Sequence, residues 1–137
     1  MTPTPSQTVG PFFGFALQAV EPSEGVRVEG QLLDGAGEPV SDGLLEVSAD
    51  DQFARCRTDE EGAFHFTVRK ARFASITVFA RGLLRQLNTR MYFPGESDDA
   101  LARVDADRRQ TLFAQQDGEV LRFDIRLQGP GETVFFL

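Results

Sequence analysis

Between Phe73 and Phe93 the chain reads FASITVFARGLLRQLNTRMYF, a run that alternates at period two and then turns back on itself. Ala74, Ile76, Val78 and Ala80 share one face, and Ser75, Thr77 and Arg81 the other, with Phe73 and Phe79 beside them. Successive side chains of a strand point to opposite faces, so small and β-branched residues at every second place build a core-facing surface. Arg81-Gly82 offers the turn, because glycine accepts a positive φ without steric penalty. The return run sets Leu87, Met91 and Phe93 on one face and Gln86, Asn88, Arg90 and Tyr92 on the other. Arg81 therefore sits at the tip of a stiff hairpin. Two readings stay open for it: a solvated surface arginine, or an anion-binding group on a rigid support.

The same alternation recurs in short pieces along the chain. Val26, Val28 and Leu32 alternate with Arg27, Glu29 and Gln31; Leu45, Val47 and Ala49 with Leu44, Glu46 and Ser48. A weaker strand is expected over 53–58, and another over 63–69 with Phe64 and Phe66 on one face. Leu121, Phe123, Ile125 and Leu127 alternate with Arg122, Asp124, Arg126 and Gln128, which predicts one continuous strand. A further strand is expected over 111–116, and 133–136 closes the chain. Ser97-Asp98-Asp99 has the chemistry to cap a short helix running through Leu101 and Val104. Short strands with turns every eight to twelve residues define an all-β fold, an antiparallel β-sandwich. Pro3, Pro5, Gly10 and Pro11 keep the first stretch out of a sheet interior. Phe12, Phe13 and Phe15 make it too apolar for a free tail. The expected division is an extended N-terminal arm and connection over 1–24 and a β-sandwich domain over 25–137.

Composition narrows the functional classes. A chain of 137 residues is enough for one domain with a substantial core. The formal net charge of −7 argues against a nucleic-acid partner, which needs a basic face. Lys70 is the single lysine beside thirteen arginines, and arginine favours fixed, forked contacts. Cys56 is the lone cysteine, which excludes an internal disulfide or a cysteine-based zinc site. No signal peptide is expected from the polar, proline-bearing start. No apolar run approaches the ~20 residues of a membrane helix, so a soluble cytoplasmic protein is expected.

Scarcity carries the functional argument. His65 is the only histidine and Tyr92 the only tyrosine. A Ser-His-Asp triad would have to use His65, which lies mid-strand without a nucleophile signature nearby. One histidine does not build a histidine-based transition-metal site. The acidic groups Asp50-Asp51, Asp59-Glu60-Glu61 and Asp98-Asp99 fall in turns, where acids serve local hydrogen bonding. No glycine-rich phosphate loop precedes a helix. The residues alone describe a β-sandwich without a self-contained active site.

Three stretches together, TPSQTVGPFF (Thr4 to Phe13), SITVFARGLLRQLNTRMYF (Ser75 to Phe93) and RFDIRLQGPGETVFF (Arg122 to Phe136), resemble the intradiol ring-cleavage dioxygenases. Within that family they resemble the α-type subunits, and Val26 to Val47 fits the first sandwich strands. The resemblance implies an intradiol, transthyretin-like sandwich topology and a hetero-oligomer with a dioxygenase beta subunit. That partner would carry the cofactor, a non-haem Fe(III) held by two tyrosines, two histidines and a water-derived ligand. This chain, with one of each, fits the subunit that has lost them. The positions matching the family's histidine pair are Phe73 and Ser75, and Tyr92 falls in the hairpin rather than at a ligand position. No catalytic or metal-binding residue is expected here. The implied role is to complete the partner's pocket for cleavage of protocatechuate between its hydroxylated carbons to a carboxymuconate. The implied substrate contacts are Thr8, Gly10 and Pro11 of the arm and Arg81 of the hairpin. A guanidinium and the free N–H groups beside a glycine suit the substrate carboxylate. Relative to the family pattern the chain is shorter after Leu17, between Asp50 and Arg57, and between Arg69 and Phe73. The alternative is a non-enzymatic transthyretin-like binding module, which would have no need of the TPSQTVGP arm.

Overall fold

Leu44 lies opposite Phe79 and Ser48 opposite Ser75, and this antiparallel register runs through the middle of the molecule. The computed structural model describes residues 25–129 and 131–136. Strands β1 (Val26–Leu33), β2 (Leu44–Ala49), β3 (Gln52–Arg57), β4 (Ala63–Val68), β5 (Phe73–Phe79) and β6 (Leu87–Tyr92) follow in order. After them come a short helix α1 (Asp99–Ala102), a 3-10 turn (Arg109–Leu112), and strands β7 (Gln115–Asp117), β8 (Val120–Arg122) and β9 (Ile125–Arg126). One sheet has the order β3-β2-β5-β6; the other runs β4-β1-β8-β7, with β9 also pairing β1. Apart from the β1 pairings with β8 and β9, every ladder is antiparallel.

The expected faces are the observed ones in the central strands. Ala74, Ile76 and Val78 of β5, and Leu45 and Val47 of β2, are fully buried against Val28, Leu32, Phe64 and Phe66 of the facing sheet. Burying such side chains stabilises by about 1.5–3 kcal/mol each for the larger ones, before the cost of ordering the chain. Asp98 caps α1, accepting from the Leu101 N–H, as the sequence predicts.

The C-terminal third departs from the sequence expectation. The alternating run from Leu121 to Leu127 is not one strand. It pairs with β1 through Val120–Arg122, lets go at Phe123-Asp124, and pairs again at Ile125–Arg126, parallel both times. A close approach accompanies the break. Gly30 of β1 has no Cβ, and one built there would stand 1.8 Å from the Phe123 carbonyl oxygen. The Phe123 carbonyl leans into that gap, and the chain keeps the same register with β1 on both sides of it. Asp124 then accepts a hydrogen bond from the Gln31 N–H at 2.9 Å, and so satisfies a donor that the broken ladder leaves over. The expected strand over 111–116 is a 3-10 turn followed by the short β7. The closing segment makes one bridge, Phe136 to Asn88.

Gly30→Ala is expected to destabilise the chain by about 3 kcal/mol or more, because backbone rather than a flexible side chain must yield. Urea unfolding followed by far-UV circular dichroism measures it.

Candidate functional site

The β5–β6 hairpin carries the two places where the sequence points to function, one at each end. At the tip, the Leu83 N–H donates to the Ala80 carbonyl at 3.2 Å, and Gly82 adopts φ +92° with nothing near the place of a Cβ. Arg81 projects from this turn with 90% of its side chain exposed. Its Nε lies 3.3 Å from Oδ2 of Asp42. That pair follows from register. With Leu44 opposite Phe79, the antiparallel path continued two residues outward sets Asp42 opposite Arg81. Thr8, Gly10 and Pro11 lie outside the described residues.

At the other end, Phe73 pairs with Tyr92, and Ser75 with Arg90. Phe73 and Ser75 are the positions expected to match the family's histidines, and their surroundings are built for something other than a metal. The Arg90 guanidinium stacks over the Phe73 ring at 4.2 Å from its centre and over Phe136 at 5.3 Å. Its Nη1 donates to the Tyr92 hydroxyl at 3.1 Å and lies 3.4 Å from Oδ2 of Asp98. The Tyr92 hydroxyl in turn donates to Oδ1 of Asp98 at 2.8 Å. Tyr92 is fully buried, although its strand position set it on the polar face. The reason is a second layer. Leu101 of α1, Leu112 of the 3-10 turn, Phe113 and Phe136 cover the outer surface of the sheet at that end.

The electrostatics fit a structural assembly. Burial pushes the Tyr92 hydroxyl above its ordinary range and donation to Asp98 adds to this, against the pull of Arg90. Burial alone would raise the Asp98 carboxyl. The Leu101 N–H, the Tyr92 hydroxyl and the charges of Arg90 and Arg72 outweigh that and hold it below its ordinary value.

The remaining candidates are dispersed. His65 is exposed on β4, in the other sheet from Tyr92. Desolvation lowers its pKa, the Arg27 charge lowers it further, and Glu29 and Asp59 oppose. Desolvation pushes the half-buried Cys56 thiol up to about 12, which disfavours the thiolate that a nucleophile needs. Asp59 spends its carboxylate on the N–H groups of Glu61 and Ala63, and Asp51 pairs with Arg69. Among the described residues no group of three or more His, Cys, Asp or Glu is placed to hold a metal ion. The donor set does not fit a ferric site of two tyrosines and two histidines: the chain has one of each, in different sheets. Asp42 and Asp98 were not legible as site residues in the sequence. The capping pattern at Asp98 gave its helical role only, and nothing local marks Asp42.

The fold is that of the intradiol ring-cleaving dioxygenases. The structure is similar to the dioxygenase domain of a dioxygenase–carbohydrate-binding protein fusion from Streptomyces sp. SirexAA-E, with a TM-score of 0.65 at 22% identity, covering 94% of this chain and 100% of that one. It is similar also to hydroxyquinol 1,2-dioxygenase from Pseudomonas putida DLL-E4, with a TM-score of 0.59 at 16% identity over 85% of this chain and 63% of that one. No protein-family model matches. In sequence the chain is 35% identical to a protocatechuate 3,4-dioxygenase alpha chain of Burkholderia cepacia, covering 97% of this chain and 96% of the relative. Identity to the corresponding alpha chain of Pseudomonas putida is 34%, covering 97% and 95%. The chain belongs to the protocatechuate 3,4-dioxygenase alpha chain family. The first alignment spans 189 positions against the 137 residues here, so at least 52 of those positions fall opposite gaps in this chain. A tight β2–β3 turn at Asp50-Asp51, with Asp50 at φ +52°, lies within one of the segments where the sequence is expected to be short.

Asp98→Ala is expected to cost about 2–3 kcal/mol at neutral pH, from the lost cap and the unsatisfied Tyr92 hydroxyl. Because the folded-state pKa of Asp98 is depressed, its charge-dependent share is present above the ordinary aspartate pKa. That share disappears as pH falls through the folded value, so the gap between variant and parent narrows in acid. Urea unfolding across a pH series reads both effects.

Proposed function

We propose that this chain is the iron-free subunit of a protocatechuate 3,4-dioxygenase, pairing with a beta chain that carries Fe(III) and closing its substrate pocket. The donor inventory carries the reading: Tyr92, the only tyrosine, is buried and committed to Asp98, and His65, the only histidine, lies in the opposite sheet. Ring opening of protocatechuate to a carboxymuconate would draw its electronic activation from the partner's ferric ion. What this chain supplies is charge and shape. The arm over 1–24, with Thr8, Gly10 and Pro11, and the hairpin tip at Arg81 are assigned to the mouth of the partner's pocket, and the sandwich over 25–137 is their support.

Separation along the hairpin supports that assignment. Six residue steps of strand divide Phe73 from Phe79, about 20 Å at the usual rise. Arg81 therefore does not serve the region of its own chain that matches the ligand positions, and acts on a pocket elsewhere. The Arg81 side chain is 90% exposed, so its guanidinium is open to an incoming carboxylate, which arginine binds well in bidentate geometry. Coverage of nearly the whole alpha-chain relative weighs against a stand-alone binding module.

The test is co-expression with a beta chain, measuring co-elution, iron content and oxygen uptake with protocatechuate. The complex is expected to be active and the chain alone to be iron-free and inactive. Failure to co-elute with any dioxygenase beta chain sinks the reading. Arg81→Ala is expected to raise KM for protocatechuate by about tenfold or more, the scale of a lost charged hydrogen bond. Its effect on the stability of the free chain should stay within the roughly 0.5 kcal/mol of ordinary surface substitutions.

A further inference from the structure

We infer that Leu84 is the anchor of the contact with the beta chain, seated in an apolar socket of that partner whose rim carries carboxylates. This rests on the pairing proposed above. Among the described residues two large hydrophobic side chains are exposed, Leu84, which is fully exposed, and Phe79, at 36%. Both belong to the same hairpin, Leu84 at its tip and Phe79 at the end of β5. Hairpin tips ordinarily carry turn-forming polar residues, because a side chain there gains nothing from the fold. A leucine fully exposed among the described residues is a standing cost in water, offset when a partner buries it.

The surrounding charge selects the partner. The chain as a whole bears −7, yet no acidic residue occurs from Phe73 to Gly95, a stretch that holds Arg81, Arg85 and Arg90. Arg81 and Arg85 flank Leu84, and Arg85 is exposed without an ion-pair partner among the described residues. An apolar knob between two arginines matches the usual interface pattern of a buried anchor inside a polar rim. Under the proposed pairing the socket is on the beta subunit. A two-fold axis could also bring another patch of a second copy against the tip, and self-association of the free chain separates that occupant.

The exposure of Leu84 makes the experiment clean, since its replacement buries or unburies nothing among the described residues. Leu84→Asp should leave the melting temperature of the free chain unchanged. It should weaken association with the beta chain by at least about tenfold in calorimetric titration, the scale of losing one buried leucine. Leu84→Met should stay within about threefold of the parent, as a volume-conserving apolar exchange. Arg85→Glu should slow association and flatten its salt dependence. Unchanged affinity of Leu84→Asp, with the parent chain pairing normally, overturns the anchor and leaves the pairing intact. A parent chain that does not pair overturns both. Self-association of the free chain that Leu84→Asp abolishes would assign the knob to a second copy and overturn the inference.

Discussion

The pairing of β2 with β5 decides most of what this molecule is. Its register places Leu45 beside Val78 and Val47 beside Ile76, so both strands turn their apolar side chains to the same interior. A slip of one residue would turn every one of these side chains outward and bring Ser75 and Thr77 into the core. The same register reaches past the strand ends. It brings the loop before β2 alongside the turn after β5, and so it delivers Asp42 to Arg81 although the two are far apart in sequence. A constraint set by the core thus sets the orientation of an exposed charge.

The four-stranded sheet is used differently at its two ends. Near Phe73 its outer surface is roofed by α1, the 3-10 turn and the C-terminal segment, and Tyr92 is buried on the side that alternation marks as exposed. Near Phe79 no described segment roofs the sheet, and Phe79, Arg81, Leu84 and Arg85 are exposed. Under the proposed pairing, the roofed end is architecture and the open end is working surface. The donor count agrees with that division, because the only tyrosine is spent inside the roofed end on Asp98.

What could be read from the sequence divides along the range of the interactions. The strands from β1 to β6 follow from period-two alternation and turn residues, which are local signals. The cap at Asp98 is local too. The interruption of the C-terminal run at Phe123-Asp124 is absent from the alternation, because it goes with a close approach to a glycine ninety-odd residues earlier. Alternation sets Tyr92 on the face shared with Gln86, Asn88 and Arg90 and does not show that a second layer of non-sheet segments buries it. In the site, Arg81 was legible from its place beside a glycine turn, and the poverty in histidine and tyrosine from counting alone. Asp42 was not, since only tertiary register joins it to the hairpin.

The cluster around Arg90 ties distant parts of the chain to one another. Its guanidinium lies against two rings and beside a phenol and a carboxylate that come from β5, β6, the segment leading into α1 and the C-terminal segment. Four segments are thus clasped by one cation. A smaller or polar side chain at Phe73 would take a ring from beneath that cation and loosen the roof above it. The outer layer at this end behaves as an arch with a single keystone.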